Sequence, residues 1–405
     1  MNRYALAPML SVAMLVALPA PPYGTSACVP SPTKVCTVPL VIFRHGLSGG
    51  RGDLFHLADA FNAKGIAVAA IDAAKHGDRT FCKSAAECSA GGSCAPVAAL
   101  AGEGDATPPG KCSTDFVRRP VTSTAVPGPA GIPIASGNYL ISANLFRTRD
   151  TLRQDIIDQS QLLRVLSPDP ACDKSVPPTG AGTCANQIVT PLLGLQFDPH
   201  QLWLVGQSLG AISGTLDVAA NPRLGRAALN VGGSTLVDVS HDSPALGPAF
   251  EGLLAALGIQ KGSPDELRFL QVAKWILDPA DPENFAANLS AQTLPSPISG
   301  NVAPPPRAVL GQLALCDPTV PNPFNLNLYG LSGLGPSAGE PGKGTVTTFV
   351  AGGGGACPAN AVLHGFLTGW VDYGSGAASI VQQAQDDIAD FFTAGVLPPS
   401  TRSAP

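Results

Sequence analysis

A serine hydroxyl flanked by glycines, in Gly206-Gln207-Ser208-Leu209-Gly210, is the group in this chain best placed to do chemistry. It lies between a strand-like apolar run, Leu202-Trp203-Leu204-Val205, and a helix-like run from Ala211 to Ala220. In that setting G-x-S-x-G reads as a strand–turn–helix elbow that lifts the serine oxygen above a sheet edge. The turn is tight enough that a Cβ on either flank would strike the neighbouring strand or helix. With 45 glycines among 405 residues the pentapeptide alone is a weak signal. Its flanks give it weight.

A serine becomes a useful nucleophile only when a base takes its proton, and the base needs a carboxylate to fix its tautomer and stabilise the imidazolium. On such an elbow the chain order is serine, acid, histidine. There are six histidines: His45, His56, His76, His200, His241 and His364. Four precede Ser208, and His241 lies before the late strands that should carry the acid. His364 remains, in Val362-Leu363-His364-Gly365-Phe366, between the last strand and the closing helix. The expected acid is Asp317, which ends the strand Ala308–Leu315 where ligands bind in open α/β sheets. Asp238 is its rival, Asp278 and Asp281 fall in a helical insertion, and a plain turn aspartate before Pro318 is the structural alternative. Two backbone N–H groups must face the developing oxyanion. Leu209, after the nucleophile, supplies one, and Leu47, after His45-Gly46, the other. A simple glycine turn at His45-Gly46 is the competing reading, and His76-Gly77 reads as structural.

The elements needed to hold these groups are legible. Val38–Phe43 reads as a buried strand, residues 53–64 as a helix ended by Gly65, and Ile66–Ile71 as a second buried strand. Strand, helix, strand implies a parallel sheet. Residues 79–137 lose periodicity into Cys, Gly, Pro and Ala, and read as an insertion stapled by disulfides. A long helix spans 144–166, a smaller excursion 167–190, and Ala227–Val231 is a further strand. Residues 236–304 read as a helical cap insertion, with a plain structural insert as the alternative. Val346–Val350 and a helix over 377–394 close a three-layer α/β sandwich with a mostly parallel central sheet.

Composition narrows the function. Charged residues make up 13%, net charge is −5, and no basic run appears, which argues against nucleic acid. Residues 1–27 read as an export signal: Arg3, the apolar stretch Leu6–Leu18, then Thr25-Ser26-Ala27. An uncleaved anchor helix and lipidation of Cys28 are alternatives. Residues 28–405 form the expected mature domain, secreted or periplasmic. Ten cysteines in an exported chain point to disulfides. Proximity pairs Cys28 with Cys36, Cys172 with Cys184, and two pairs within the Cys82–Cys112 group. A Cys316–Cys357 bridge would tie the acid loop to the histidine loop. No metal or cofactor is called for.

Together, Val41-Ile42-Phe43-Arg44-His45-Gly46, Ile71-Asp72-Ala73-Ala74-Lys75-His76-Gly77, Arg147-Thr148-Arg149-Asp150-Thr151-Leu152-Arg153-Gln154, the Ser208 elbow, Asp317-Pro318-Thr319-Val320-Pro321 and His364-Gly365 resemble the α/β-hydrolase superfamily, and more narrowly bacterial extracellular virulence-factor lipases. The likeness runs over roughly residues 38–395. It implies Ser208 as nucleophile, Asp317 as acid, His364 as base, and hydrolysis of carboxylic esters, often lipids. The chain lacks a large N-terminal region some relatives carry and adds the insertion at 79–137. The expected activity is a secreted lipase or esterase acting on a small-molecule or lipid ester, with contact to a lipid or polymer surface. Polyester hydrolase, serine peptidase and a catalytically silent binding module are the alternatives.

Overall fold

The computed structural model describes residues 12–21, 28–29, 31, 36–79, 85, 93–96, 110–112, 137, 140–141, 144–167, 195–295, 302–335, 345–350, 364–369 and 377–403. The apolar runs at β2 (Cys36–Arg44), β3 (Ala67–Ile71) and β6 (Leu195–Gln207) are almost wholly buried. Burial on both faces is what a parallel sheet requires of its strands. With β1 (Met14–Ala17), β7 (Arg226–Asn230), β8 (Ala308–Ala314), β9 (Thr345–Val350) and β10 (Thr401–Ser403) they make one sheet in the order β1-β3-β2-β6-β7-β8-β9-β10. Every neighbouring pair is parallel except β1 with β3. β4 (Cys94–Pro96) and β5 (Gly110–Cys112) form a separate two-stranded pair.

Alternation along the strands splits the core in two. Val38, Leu40 and Ile42 of β2 join Leu202 and Leu204 on the face covered by α2 (Leu145–Leu166), α3 (Leu209–Ala220) and α7 (Asn322–Leu331). Val41, Phe43, Trp203 and Val205 face α1 (Phe55–Ala63) and α8 (Ala377–Ala394). Helix, sheet, helix is the three-layer arrangement expected from the alternating pattern. α2 starts where the Asn144 side chain accepts the Arg147 N–H at 3.3 Å, a side-chain cap on a donor that the Asn144 carbonyl also accepts at 3.0 Å.

The chain leaves β2 toward β3 on one side and returns to β6 on the other. The loops that follow β2 and β6 therefore diverge at a switch point, the crevice where open α/β sheets place ligands. Leu47 and Ser208 lie on these two loops.

Between β7 and β8 the chain forms α4 (Leu236–Asp242), α5 (Gly247–Ala256) and α6 (Pro264–Leu277). Their apolar faces make a cluster of their own from Val237, Phe250, Leu254, Ala273 and Leu277. The Asp281 carboxylate, past α6, accepts the N–H groups of Thr235 (3.1 Å) and Leu236 (2.7 Å), closing the end of this helical run onto its beginning.

The structure adds elements that the sequence pattern did not suggest: α7, the short β10, the β4–β5 pair, and β1, which lies inside the stretch that reads as an export signal. Cys28 and Cys36 form a disulfide. Cys94 and Cys316 are also disulfide-bonded; Cys357, Cys172 and Cys184 lie outside the described residues, as does most of 79–137. Among the described residues no helix is long and apolar enough to cross a membrane.

Two glycines fix how closely β6, α3 and β2 approach. A Cβ on Gly206 would collide with the Gly210 backbone, and one on Gly210 with the backbone carbonyl of Arg44. Gly210→Ala is expected to cost at least about 3 kcal/mol by overpacking backbone that cannot yield. Gly252→Ala, on α5 where an added Cβ meets nothing within 4 Å, should instead gain roughly 0.5–1 kcal/mol. Urea unfolding of the two variants checks the contrast, and equal midpoints would refute the close-approach argument.

Candidate active site

Ser208 stands between the last residue of β6 and the first of α3, with φ of 58° and ψ of −119°. A non-glycine residue held there stores strain of about 1–3 kcal/mol. The surroundings enforce it: the Ser208 N–H donates to Asn230 O at 2.9 Å, and Ser208 O accepts from Ala211 N (2.8 Å) and Ile212 N (2.9 Å). Its hydroxyl consequently points away from the sheet.

His364 meets that hydroxyl. Its Nε2 lies 2.5 Å from Ser208 Oγ and its Nδ1 lies 2.6 Å from Asp317 Oδ2. A carboxylate can only accept, so Nδ1 carries the proton and Nε2 presents its lone pair to the serine. Asp317 is held in turn: Oδ1 accepts from Thr319 N at 2.8 Å and Val320 N at 3.0 Å, leaving Oδ2 for the imidazole. The Asp317 side chain is fully buried, while that of His364 keeps 15% of its surface. Gln207 Nε2 donates to His364 O at 3.3 Å, steadying the histidine from the elbow itself. Three sites separated in sequence thus meet in one hydrogen-bonded row. The rival carboxylates serve elsewhere: Asp238 pairs with Lys274 at 2.7 Å, and Asp281 is taken by backbone donors.

Leu209 opens α3, so its N–H is among the donors that a helix start leaves without an internal partner. The loop after β2 lies against Ser208, with a notional Cβ on Gly46 only 3.2 Å from the Ser208 Cβ. The Leu47 and Leu209 side chains share an apolar cluster with Leu140, Leu152 and Ala280.

Behind this surface sits a buried charge cluster that sequence reasoning missed. The Arg44 guanidinium, 2% exposed, bonds Asp217 of α3 through one Nη, and Asp155 of α2 and Ser213 Oγ (2.7 Å) through the other. Asp155 also accepts the Ala74 N–H at 3.2 Å, and Ser213 donates to Leu209 O at 2.8 Å. Burial works against the charge on Arg44, yet the two carboxylates hold it above its ordinary range. Burial pushes Asp217 up to about 7, with Asp155 adding to the rise and Arg44 opposing it. The available signal was an arginine closing an otherwise apolar strand and an aspartate on the inward face of a helix. In the Arg147–Gln154 stretch, Asp150 is exposed and pairs with Arg149 and Arg153; the residue that reaches the cluster is the next acidic one along.

An apolar chamber of about 90 Å³ opens from Ser208. Its walls include Leu47, Leu145 and Leu152 on one side and Leu236, Phe250, Leu253, Ala273 and Leu277 from the insertion on the other. Among the described residues lining it none is charged, and the polar ones are the hydroxyls of Thr148, Ser208, Ser240 and Thr319. No group of three or more potential metal ligands occurs among the described residues.

No family model matches the chain, and no curated protein matches it. Among solved structures it is similar to a Pyrococcus horikoshii acylaminoacyl peptidase (10% identity, TM-score 0.46, 95% of this chain and 39% of that one). A puromycin-hydrolyzing peptidase of Mycobacterium tuberculosis gives 15% identity and a TM-score of 0.45 over 97% of this chain and 38% of that one. A Paleococcus ferrophilus monoacylglycerol lipase gives 12% and 0.41 over 96% and 100%. The chain spans about two fifths of the length of the first two.

His45 and His76, both buried, carry a pH consequence. Burial lowers His45 from 6.5 to about 4, helped by Arg44 and Arg79, and lowers His76 to about 3, helped by His45. A folded pKa below the unfolded one means that the unfolded chain binds protons first as the pH falls. The stability these two contribute is therefore present above pH 6.5 and drains away from there toward pH 4 and 3. Asp53 and Asp217, raised to about 7, act with the opposite sign over the same window. The total slope is thus a compensation, and a variant isolates one member. Relative to the parent, His76→Gln should gain about 2 kcal/mol in unfolding free energy between pH 7 and pH 5; a pH-independent difference in urea titrations would disprove a neutral buried His76.

Proposed function

We propose that this chain is a serine hydrolase of carboxylic esters with apolar acyl groups, acting through Ser208, His364 and Asp317. One observation carries the reading: the 2.5 Å and 2.6 Å contacts that join the serine, imidazole and carboxylate, at the floor of an uncharged apolar chamber. His364 Nε2 removes the Ser208 proton as Oγ attacks the ester carbonyl. Asp317 fixes the tautomer and stabilises the imidazolium that results. The N–H groups of Leu47 and Leu209 receive the developing oxyanion. Collapse of the tetrahedral intermediate expels the alcohol, which takes the proton from His364. Water, activated by the same imidazole, then releases the acid and restores Ser208.

The chamber supports an apolar acyl arm over a peptide or a polar acyl group, since a buried polar group there would find few partners. Enclosure by α2, α4, α5 and α6 favours one chain end over a polymer lying across an open groove. Lipase action, export and attachment to a lipid surface belong to the same proposal and rest on the sequence resemblance.

With p-nitrophenyl butyrate, Ser208→Ala should lower kcat at least about a thousandfold and Asp317→Asn about ten-thousandfold at pH 7. A folded Ser208→Ala protein of undiminished turnover would sink the reading. Acyl chain length tests the chamber. Each added methylene should raise kcat/KM about fourfold, the equivalent of about 0.8 kcal/mol, until the space is filled. Ala273→Phe should narrow it, cutting octanoate turnover at least about tenfold while leaving acetate within about twofold. Equal losses for both esters would place the acyl arm elsewhere.

A further inference from the structure

His45 lies at the turn between β2 and the Leu47 loop and is 2% exposed. Both of its ring nitrogens are engaged. Nε2 lies 2.9 Å from the Ala73 backbone nitrogen, which can only donate, so Nε2 is the acceptor. Nδ1 then carries the proton, and it lies 2.9 Å from the carbonyl oxygen of Gly46. The same oxygen accepts the Gly49 N–H at 3.1 Å. Gly46 O belongs to the peptide unit whose nitrogen is that of Leu47. In a planar trans peptide the C=O and N–H point in opposite directions. A donor that pins Gly46 O from behind therefore aims the Leu47 N–H forward.

We propose that His45 is a positioning residue of the oxyanion hole: its Nδ1–H holds the Gly46–Leu47 peptide so that the Leu47 N–H faces the ester oxygen as charge develops there. The proposal rests on the serine-hydrolase reading above and adds a role for a residue outside the Ser208–His364–Asp317 row. Ala73, just beyond β3, fixes the ring by its own N–H, so the orientation of the loop after β2 is referred to the neighbouring strand. His76 backs the ring, with centroids 5.0 Å apart, and its own Nδ1–H is taken by Ala74 O at 2.9 Å. Burial keeps His45 neutral, with the Arg44 and Arg79 charges acting the same way, so the donor and acceptor roles do not exchange at working pH.

A series of amides separates the two ring contacts. Asparagine places its Nδ2–H near the position of histidine Nδ1 and has no group at Nε2. Glutamine reaches the Nε2 position and leaves Nδ1 empty. For His45→Asn, His45→Gln and His45→Ala, the measurements are kcat and KM on p-nitrophenyl butyrate, the inhibition constant of an alkyl trifluoromethyl ketone, and the urea midpoint. Fluorophosphonate labelling of Ser208 in the unaltered protein is the separate check on the serine-hydrolase reading; if it fails, that reading fails, whatever the His45 variants do. Expected for the glutamine and alanine variants is a loss of about 100-fold in kcat, typical of one lost oxyanion donor. KM should stay within about threefold and the ketone should weaken in step with kcat/KM, while His45→Asn stays within about tenfold of the parent. Rescue by glutamine rather than asparagine, or unchanged kcat in folded His45→Ala, would overturn the proposal by leaving only the tie to Ala73. Should no variant fold, the nitrogen-15 histidine spectrum of the unaltered protein decides. A proton on Nδ1 of His45 supports the assignment and a proton on Nε2 refutes it.

Discussion

One guanidinium joins the parts of this molecule that must not move relative to one another. Arg44 closes the central strand β2, and its two carboxylate partners come from α3, the helix after Ser208, and the long helix α2. Asp155 passes the contact on to the backbone after β3. Removing one partner from such a buried group leaves an uncompensated charge and costs about 3–5 kcal/mol, whereas a well-packed apolar replacement of the whole set can be as stable. The cluster is therefore better understood as fixing register than as supplying stability. Helix α3 cannot slide along β2 without breaking it, and Gly210, pressed against the Arg44 carbonyl, removes the remaining play.

Above this anchor the site is assembled from strain and enclosure. The left-handed turn at Ser208 persists because backbone hydrogen bonds hold it from both sides. Asp317 is committed to the imidazole because two backbone donors occupy its other oxygen. The insertion adds no charged group to the described walls of the chamber; it contributes the apolar side chains of Leu236, Phe250, Leu253, Ala273 and Leu277. The helices of the insertion form a separate apolar cluster against which Leu145 of α2 also packs.

The buried strands and most of the long helices were readable because their apolar residues recur at the period of the element they form. α8 spans the residues its periodicity indicated. His364 could be singled out because histidines are so few. Helix α7 could not be read: Asn322-Pro323-Phe324-Asn325 looks like a turn, and its polar residues make sense only through distant partners. Asn322 donates to Ala314 O (2.7 Å), Asn325 to Gly232 O (2.6 Å), and Tyr329 to Leu229 O (2.7 Å). The Arg44 cluster was hidden for the same reason, since its three members lie 111 and 173 residues apart along the chain. Local pattern reports burial. It does not report which buried charges will meet.

The outermost strand has a consequence of its own. Met14–Ala17 run antiparallel to β3, with Met14 and Val16 packed toward one half of the core and Leu15 and Ala17 toward the other. These residues fall within the stretch patterned like an export signal, which proteolytic processing would take away. Their departure would bare one flank of β3 as a row of unsatisfied amides and carbonyls, a template onto which a foreign extended segment can add. A chain without this strand would then differ from the full one in stickiness as well as in length.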